Sequence, residues 1–85
     1  HTISALHPEA DIFIYSQENI NNIECKILNR RGKVVKVLPI LDYGDNKKAI
    51  WNGTDNNSVK VSGGFYIYHI SVSGKIYQGS ILVAR

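Results

Sequence analysis

The stretch Ile50–Ile70, IWNGTDNNSVKVSGGFYIYHI, decides how this chain is read. It holds the only Trp, then seven small or turn-forming polar residues from Asn52 to Ser58, two adjacent glycines and a run of alternating aromatic and aliphatic residues. Such an order fits either a loop that grips a ligand or a device that ends one strand and starts another. Its second half carries a period of two: Tyr66, Tyr68 and Ile70 fall on one face of an extended segment, and Phe65, Ile67 and His69 on the other. Both faces are largely apolar, which places the strand from Phe65 to Val72 in the interior of a sheet.

The same punctuation runs through the rest of the chain. Short alternating segments rich in Ile, Val, Thr, Tyr and Phe are separated by Gly, Asn, Asp, Ser or Pro, and no segment holds a helical period. Strands spaced in this way, about every 8 to 12 residues, describe an all-β sandwich or barrel. An edge strand is expected near Thr2 to Leu6, ending at His7-Pro8, and a second from Asp11 to Ser16. The polar stretch Gln17 to Asn22 reads as a connection. Ile23 to Leu28 follows as a strand with Ile23, Cys25 and Ile27 on one face, and Arg31-Gly32 reads as a hairpin leading to Val34–Leu38. Residues 39 to 47 read as a loop and Lys48 to Trp51 as a short strand. Ser73-Gly74-Lys75 joins Phe65–Val72 to a closing strand, Ile76 to Val83.

Composition limits the function. Eighty-five residues make one modest domain. Apolar content of 44% and charged content of 20% separate it from a disordered tail, and no apolar run approaches the roughly 20 residues that span a bilayer. The chain opens at His1 without a signal-peptide pattern, and the expectation is a domain of a larger protein. Net charge is +3, but the ten basic residues are scattered, with Arg30-Arg31-Gly32-Lys33 and Lys47-Lys48 the densest groups. Nucleic-acid-binding domains concentrate such charge on one face, so no nucleic-acid partner is read. A single Cys allows no internal disulfide, and Cys25, flanked by Ile23 and Ile27, reads as a small buried hydrophobe.

The chemical readings are weaker than the architectural one. Asp42, Asp45, Asn52, Asp55, Asn56 and Asn57 offer oxygen ligands, yet neither YGDNKK nor NGTDNN has the acidic spacing of a compact calcium loop. Asx residues also make turns through their own side chains, and Asn52-Gly53 is a turn dipeptide. His1, His7 and His69 show no zinc-ligand spacing with Cys25. No cofactor is called. Seven acids and three His supply no recognisable catalytic constellation, so the chain is read as non-enzymatic. The sequons Asn52-Gly53-Thr54 and Asn56-Asn57-Ser58 read as coincidental to an Asn-rich turn.

The motif pair IECKILNRRGKVVKVL, Ile23 to Leu38, and WNGTDNNSVKVSGGFYIYHI, Trp51 to Ile70, followed by YQGSILVAR at the end, carries a family resemblance. Over residues 11 to 85 the chain resembles the Ig-like domain of the flagellar hook-capping protein type, found at the C-terminus of many bacterial secreted proteins. The resemblance implies an Ig-like antiparallel β-sandwich of about seven strands. Its core would hold Ile23, Cys25, Ile27, Val35, Trp51, Tyr66, Tyr68, Ile70, Ile81 and Val83. The chain departs from the family pattern at Ser58, where a turn Gly is usual, and at Gly63-Gly64, where one Gly is usual.

The role so implied is a non-catalytic accessory domain, extracellular or on the cell surface, serving spacing, docking, assembly or secretion sorting. Its partners would be neighbouring domains or other protein subunits, and exposed edges such as Asp11 to Ser16 could pair with another chain. The alternative is a carbohydrate-binding module attached to a secreted hydrolase, with a polysaccharide partner. Candidate contacts are Tyr15, Tyr43 and Tyr77 as aromatic platforms, and Asp55, Asn56 and Asn57 at the tip of the central loop.

Overall fold

A computed structural model describes residues 1–15, 22–43 and 46–85. The described residues form eight strands and no helix: β1 (Thr2–Ile3), β2 (Ala10–Tyr15), β3 (Ile23–Leu28), β4 (Val34–Leu38), β5 (Leu41–Tyr43), β6 (Asn46–Trp51), β7 (Gly64–Val72) and β8 (Lys75–Val83). Among the described residues no helix is long and apolar enough to cross a membrane. The strands make a sheet ordered β1-β8-β7-β3-β4 and a sheet ordered β2-β6-β5. A three-stranded and a five-stranded sheet with the core between them make an all-β sandwich. Every pairing is antiparallel except β1 with β8, which is parallel in the register Thr2↔Leu82 and Ile3↔Val83.

The strands differ from the sequence reading in several places, and β7 and β8 each begin one residue earlier, at Gly64 and Lys75. β5 lies in what reads as a loop: Leu41-Asp42-Tyr43 is too short for its alternation to show, and its pairing with β6 extends that strand back to Asn46. The strand count is therefore eight. β1 stops at Ile3 because Ser4 and His7 close a turn with reciprocal main-chain bonds of 2.8 and 3.2 Å. β2 begins one residue earlier than expected, at Ala10. The end of that strand at Ser16, most of the connection Gln17 to Asn22 and the Gly44-Asp45 pair lie outside the described residues.

The β3–β4 and β7–β8 hairpins form where turn chemistry calls for them. Asn29 Oδ1 accepts the N–H groups of Arg31 and Lys33 at 2.9 and 3.0 Å, and Gly32 takes φ +82°. Between β7 and β8 the chain reverses through Ser73 (φ 49°) and Gly74 (φ 82°), both left-handed, the geometry whose twist matches two antiparallel strands.

The core lies between the sheets. Trp51, Cys25, Ile27, Ala49 and Ile81 are fully buried, with Ile12, Ile14, Tyr66, Ile70 and Val83 beside them. Of the expected core residues, Ile23, Val35 and Tyr68 are partly buried and pack against this cluster. The Trp51 indole donates to the Thr54 carbonyl at 2.8 Å and meets the Tyr66 ring edge-on at 5.3 Å. Tyr66 in turn donates its hydroxyl to the carbonyl of Ser62, four residues upstream, at 2.7 Å. That contact is the tyrosine corner of Ig-like sandwiches, which fixes where the chain enters the central strand.

Candidate functional site

The central loop is built inward, onto the fold. After Trp51 the chain makes a small hairpin-like excursion: Thr54 bridges Lys60, Asp55 N–H donates to the Val59 carbonyl at 2.8 Å, and Val61 N–H donates to the Gly53 carbonyl at 2.9 Å. The Gly53 carbonyl also accepts Arg85 Nη2 at 2.9 Å, which ties the end of the chain to the loop. The Asp55 carboxylate accepts the N–H groups of Asn57 and Val59 at 2.8 and 3.0 Å, an Asx turn that employs its charge within the loop. Asn56 N–H donates to the Val35 carbonyl, its Oδ1 accepts Val37 N–H, and Lys36 Nζ donates to the Asp55 carbonyl. Asp55 and Asn56 therefore clamp the loop onto the outer edge of β4. Asn57 is exposed, and no side-chain contact of it is shown.

Beside this loop lies a shallow cleft of about 360 Å³ between the β3–β4 hairpin and the start of β7, lined by Asn29, Arg30, Arg31, Val61, Gly63 and Phe65 among others. Phe65 stands 58% exposed at its mouth. Among the described residues the ion pairs are Lys26–Glu24, Lys47–Asp42 and Lys48–Asp11, none of which involves Arg30 or Arg31. No cluster of three or more His, Cys, Asp or Glu side chains capable of holding a metal occurs among the described residues. Cys25 is fully buried and free, and burial pushes its thiol up to about 11, away from the nucleophilic thiolate.

The three tyrosines named from sequence fall in two places. Asn46 of β6 pairs with Tyr15 of β2 on one side and with Tyr43 of β5 on the other, so the three positions form one cross-strand row. Two residues along, the next row on the same face is Phe13–Lys48–Leu41, with Phe13 about half exposed and the Lys48 ammonium 5.7 Å from the centre of its ring. Tyr77 lies on the other sheet, in β8, 55% exposed. The structure thus brings Tyr15 and Tyr43 near one another and leaves Tyr77 and the Asp55–Asn57 turn apart from them. Sequence reading missed Phe13 and Asn46 as members of this face. Two-residue alternation from Tyr15 identifies Phe13, whereas Asn46 needs the β5 pairing.

The five-stranded sheet carries a second surface that sequence reading did not nominate. Register places Phe65 beside Leu82, Ile67 between Leu28 and Ser80, Val34 beside Leu28, Val37 beside Lys26, and Ile76 beside Ser71, all facing away from the core. Phe65, Val34, Val37 and Ile76 are each exposed. Comparison of the chain with protein-family models, with curated proteins and with solved structures gave no match.

Proposed function

We propose that the chain is a non-catalytic accessory domain of a larger exported bacterial protein, serving spacing, docking, assembly or sorting through contacts with neighbouring domains or other subunits. The observation that carries this reading is the outward apolar face of the five-stranded sheet. Val34, Leu28 and Ile67 form one outward row beside the Phe65–Leu82 row, with Phe65 and Val34 exposed, and exposed apolar surface of this kind marks a contact site. The loop that resembles a ligand grip supports the same reading, because Asp55 spends its carboxylate within the loop and Asn56 spends its side-chain oxygen on β4. Removing residues 1–85 from the encoded protein tests it. Export or assembly falls while turnover per correctly folded exported molecule is unchanged; lost turnover with normal export would contradict it.

A second reading rests on the row Tyr15–Asn46–Tyr43. Two tyrosine positions flanking an amide on one sheet face match the aromatic-plus-amide chemistry that glycan-binding sandwiches use. Pull-down on insoluble polysaccharide with the chain and with its Tyr15→Ala/Tyr43→Ala variant tests it. Equal retention of both proteins would end this reading.

A further inference from the structure

We infer that the uncovered edge of β8, Lys75–Ser80, takes an extended peptide segment of a partner as an added strand. The inference deepens the contact-domain reading and rests on it. β8 is nine residues long, and among the described residues its outer side is covered only at its end by β1, through Thr2↔Leu82 and Ile3↔Val83. Leu82 N–H donates to His1 O at 3.0 Å and Ala84 N–H to Ile3 O at 2.8 Å, so even-numbered residues point their main-chain groups away from β7. Alternation by two then leaves the N–H groups of Ile76, Gln78 and Ser80 directed at the open side, with no main-chain partner among the described residues. Such a row is a template for another strand.

The other edges are guarded. The outer edge of β4 is occupied at Val35 and Val37 by Asn56. β5 has three residues, and β2 carries the charge of Asp11, paired with Lys48. The β8 stretch holds no Pro and no acid, and its one charge, Lys75, sits at its start. Ile76 and Tyr77 are 59% and 55% exposed on opposite faces, ready to flank alternating side chains of an incoming strand. The occupant is an extended segment of about six residues, or roughly 20 Å, apolar at alternate positions with a carboxylate opposite Lys75. A folded second copy fits less well: β1 blocks the edge beyond Ile81, and a stable dimer buries about 1,200 Å² or more.

The test is an amide-shift titration of the ¹⁵N-labelled chain with the acetylated hexapeptide amide EVTVTV, repeated on Gln78→Pro and Gln78→Ala. Proline is tolerated at an edge position whose N–H faces water, so Gln78→Pro removes one open donor while sparing the β7 ladder. Ser80→Pro is the second variant should Gln78→Pro fail to fold. The expected result is shifts concentrated at Ile76, Gln78 and Ser80, with affinity lowered about tenfold or more by proline and little changed by alanine. Absent shifts at millimolar peptide, shifts centred on another surface, or equal affinity of the proline variant would overturn the inference. A doubling of mass without peptide, with broadening of the same amides, would overturn it too, assigning the edge to a second copy. Impaired export after deletion of residues 1–85 together with no peptide shifts sinks the edge alone. Peptide binding with unimpaired export sinks the accessory role instead.

Discussion

The side-chain oxygen of Asn56 accepts the Val37 N–H at 3.0 Å, while the Asn56 main-chain N–H donates to Val35 O at 3.0 Å. One loop residue thus imitates a neighbouring strand along two positions of the β4 edge. Asn56→Ala removes the side-chain half of this contact and is expected to cost about 1 kcal/mol, since the freed N–H can turn to water. Asn57→Ala, one residue on and exposed, is expected to stay within about 0.5 kcal/mol of the parent. Urea melts of the two variants check both values; equal effects would mean the loop is not clamped as described.

Ser58 and Ser73 hold left-handed backbone at φ 63° and 49°, a region that costs a residue with a side chain about 1–2 kcal/mol. Ser58→Gly relieves that cost against the greater unfolded-state freedom of glycine, for an expected net gain of about 0.5–1 kcal/mol. Ser73→Asn is expected to stabilise in the same direction, because Asn-Gly is the favoured pair for this turn. Thermal melts check the sign; a loss of stability at Ser58→Gly would contradict the backbone geometry.

Much of this fold is legible in the residues, and the failures have definite causes. Ile23–Leu28 and Val34–Leu38 are recovered to the residue because alternation and the Arg31-Gly32 turn agree. Ser58 stands out by resemblance alone, and its φ of 63° is a left-handed backbone that favours glycine. β5 is missed because three residues cannot display a period, and with it goes the row joining Tyr15 to Tyr43 through Asn46. The parallel seat of β1 on β8 and the Asn56 clamp on β4 join residues far apart in sequence, and no local pattern encodes either. Ala10 and Ala49 enter the core beside Trp51 and Ile12 in the β2–β6 register, which their own small side chains do not announce.

Trp51 and Tyr66 join the central loop to the core. Trp51→Ala is expected to cost about 3–5 kcal/mol, enough to unfold a domain of this size. Tyr66→Phe keeps the ring contact with Trp51 and loses only the 2.7 Å bond to Ser62 O, for about 1–2 kcal/mol. Chemical denaturation of Tyr66→Phe checks this; an unchanged midpoint would remove the tyrosine corner from the account.

Burial raises the Cys25 thiol from an ordinary 9.0 to about 11. The folded state therefore favours the protonated thiol, and this contribution to stability is full below pH 9 and is lost as pH rises through 11. Cys25→Ala is expected to flatten that part of the stability–pH curve relative to the parent. A thiol reagent at pH 8 is expected to label Cys25 only when urea opens the fold; prompt labelling of the native chain would contradict its burial.

The central claim is that this chain works through contacts its surface makes within a larger assembly. Amide hydrogen exchange of residues 1–85, measured alone and within the larger protein proposed to carry them, tests it most directly. The account predicts that Ile76, Gln78 and Ser80 exchange freely in the isolated chain and become protected in the intact protein, with the core strands unchanged. Identical exchange at every amide in the two settings would show a domain that touches nothing, and would contradict the account.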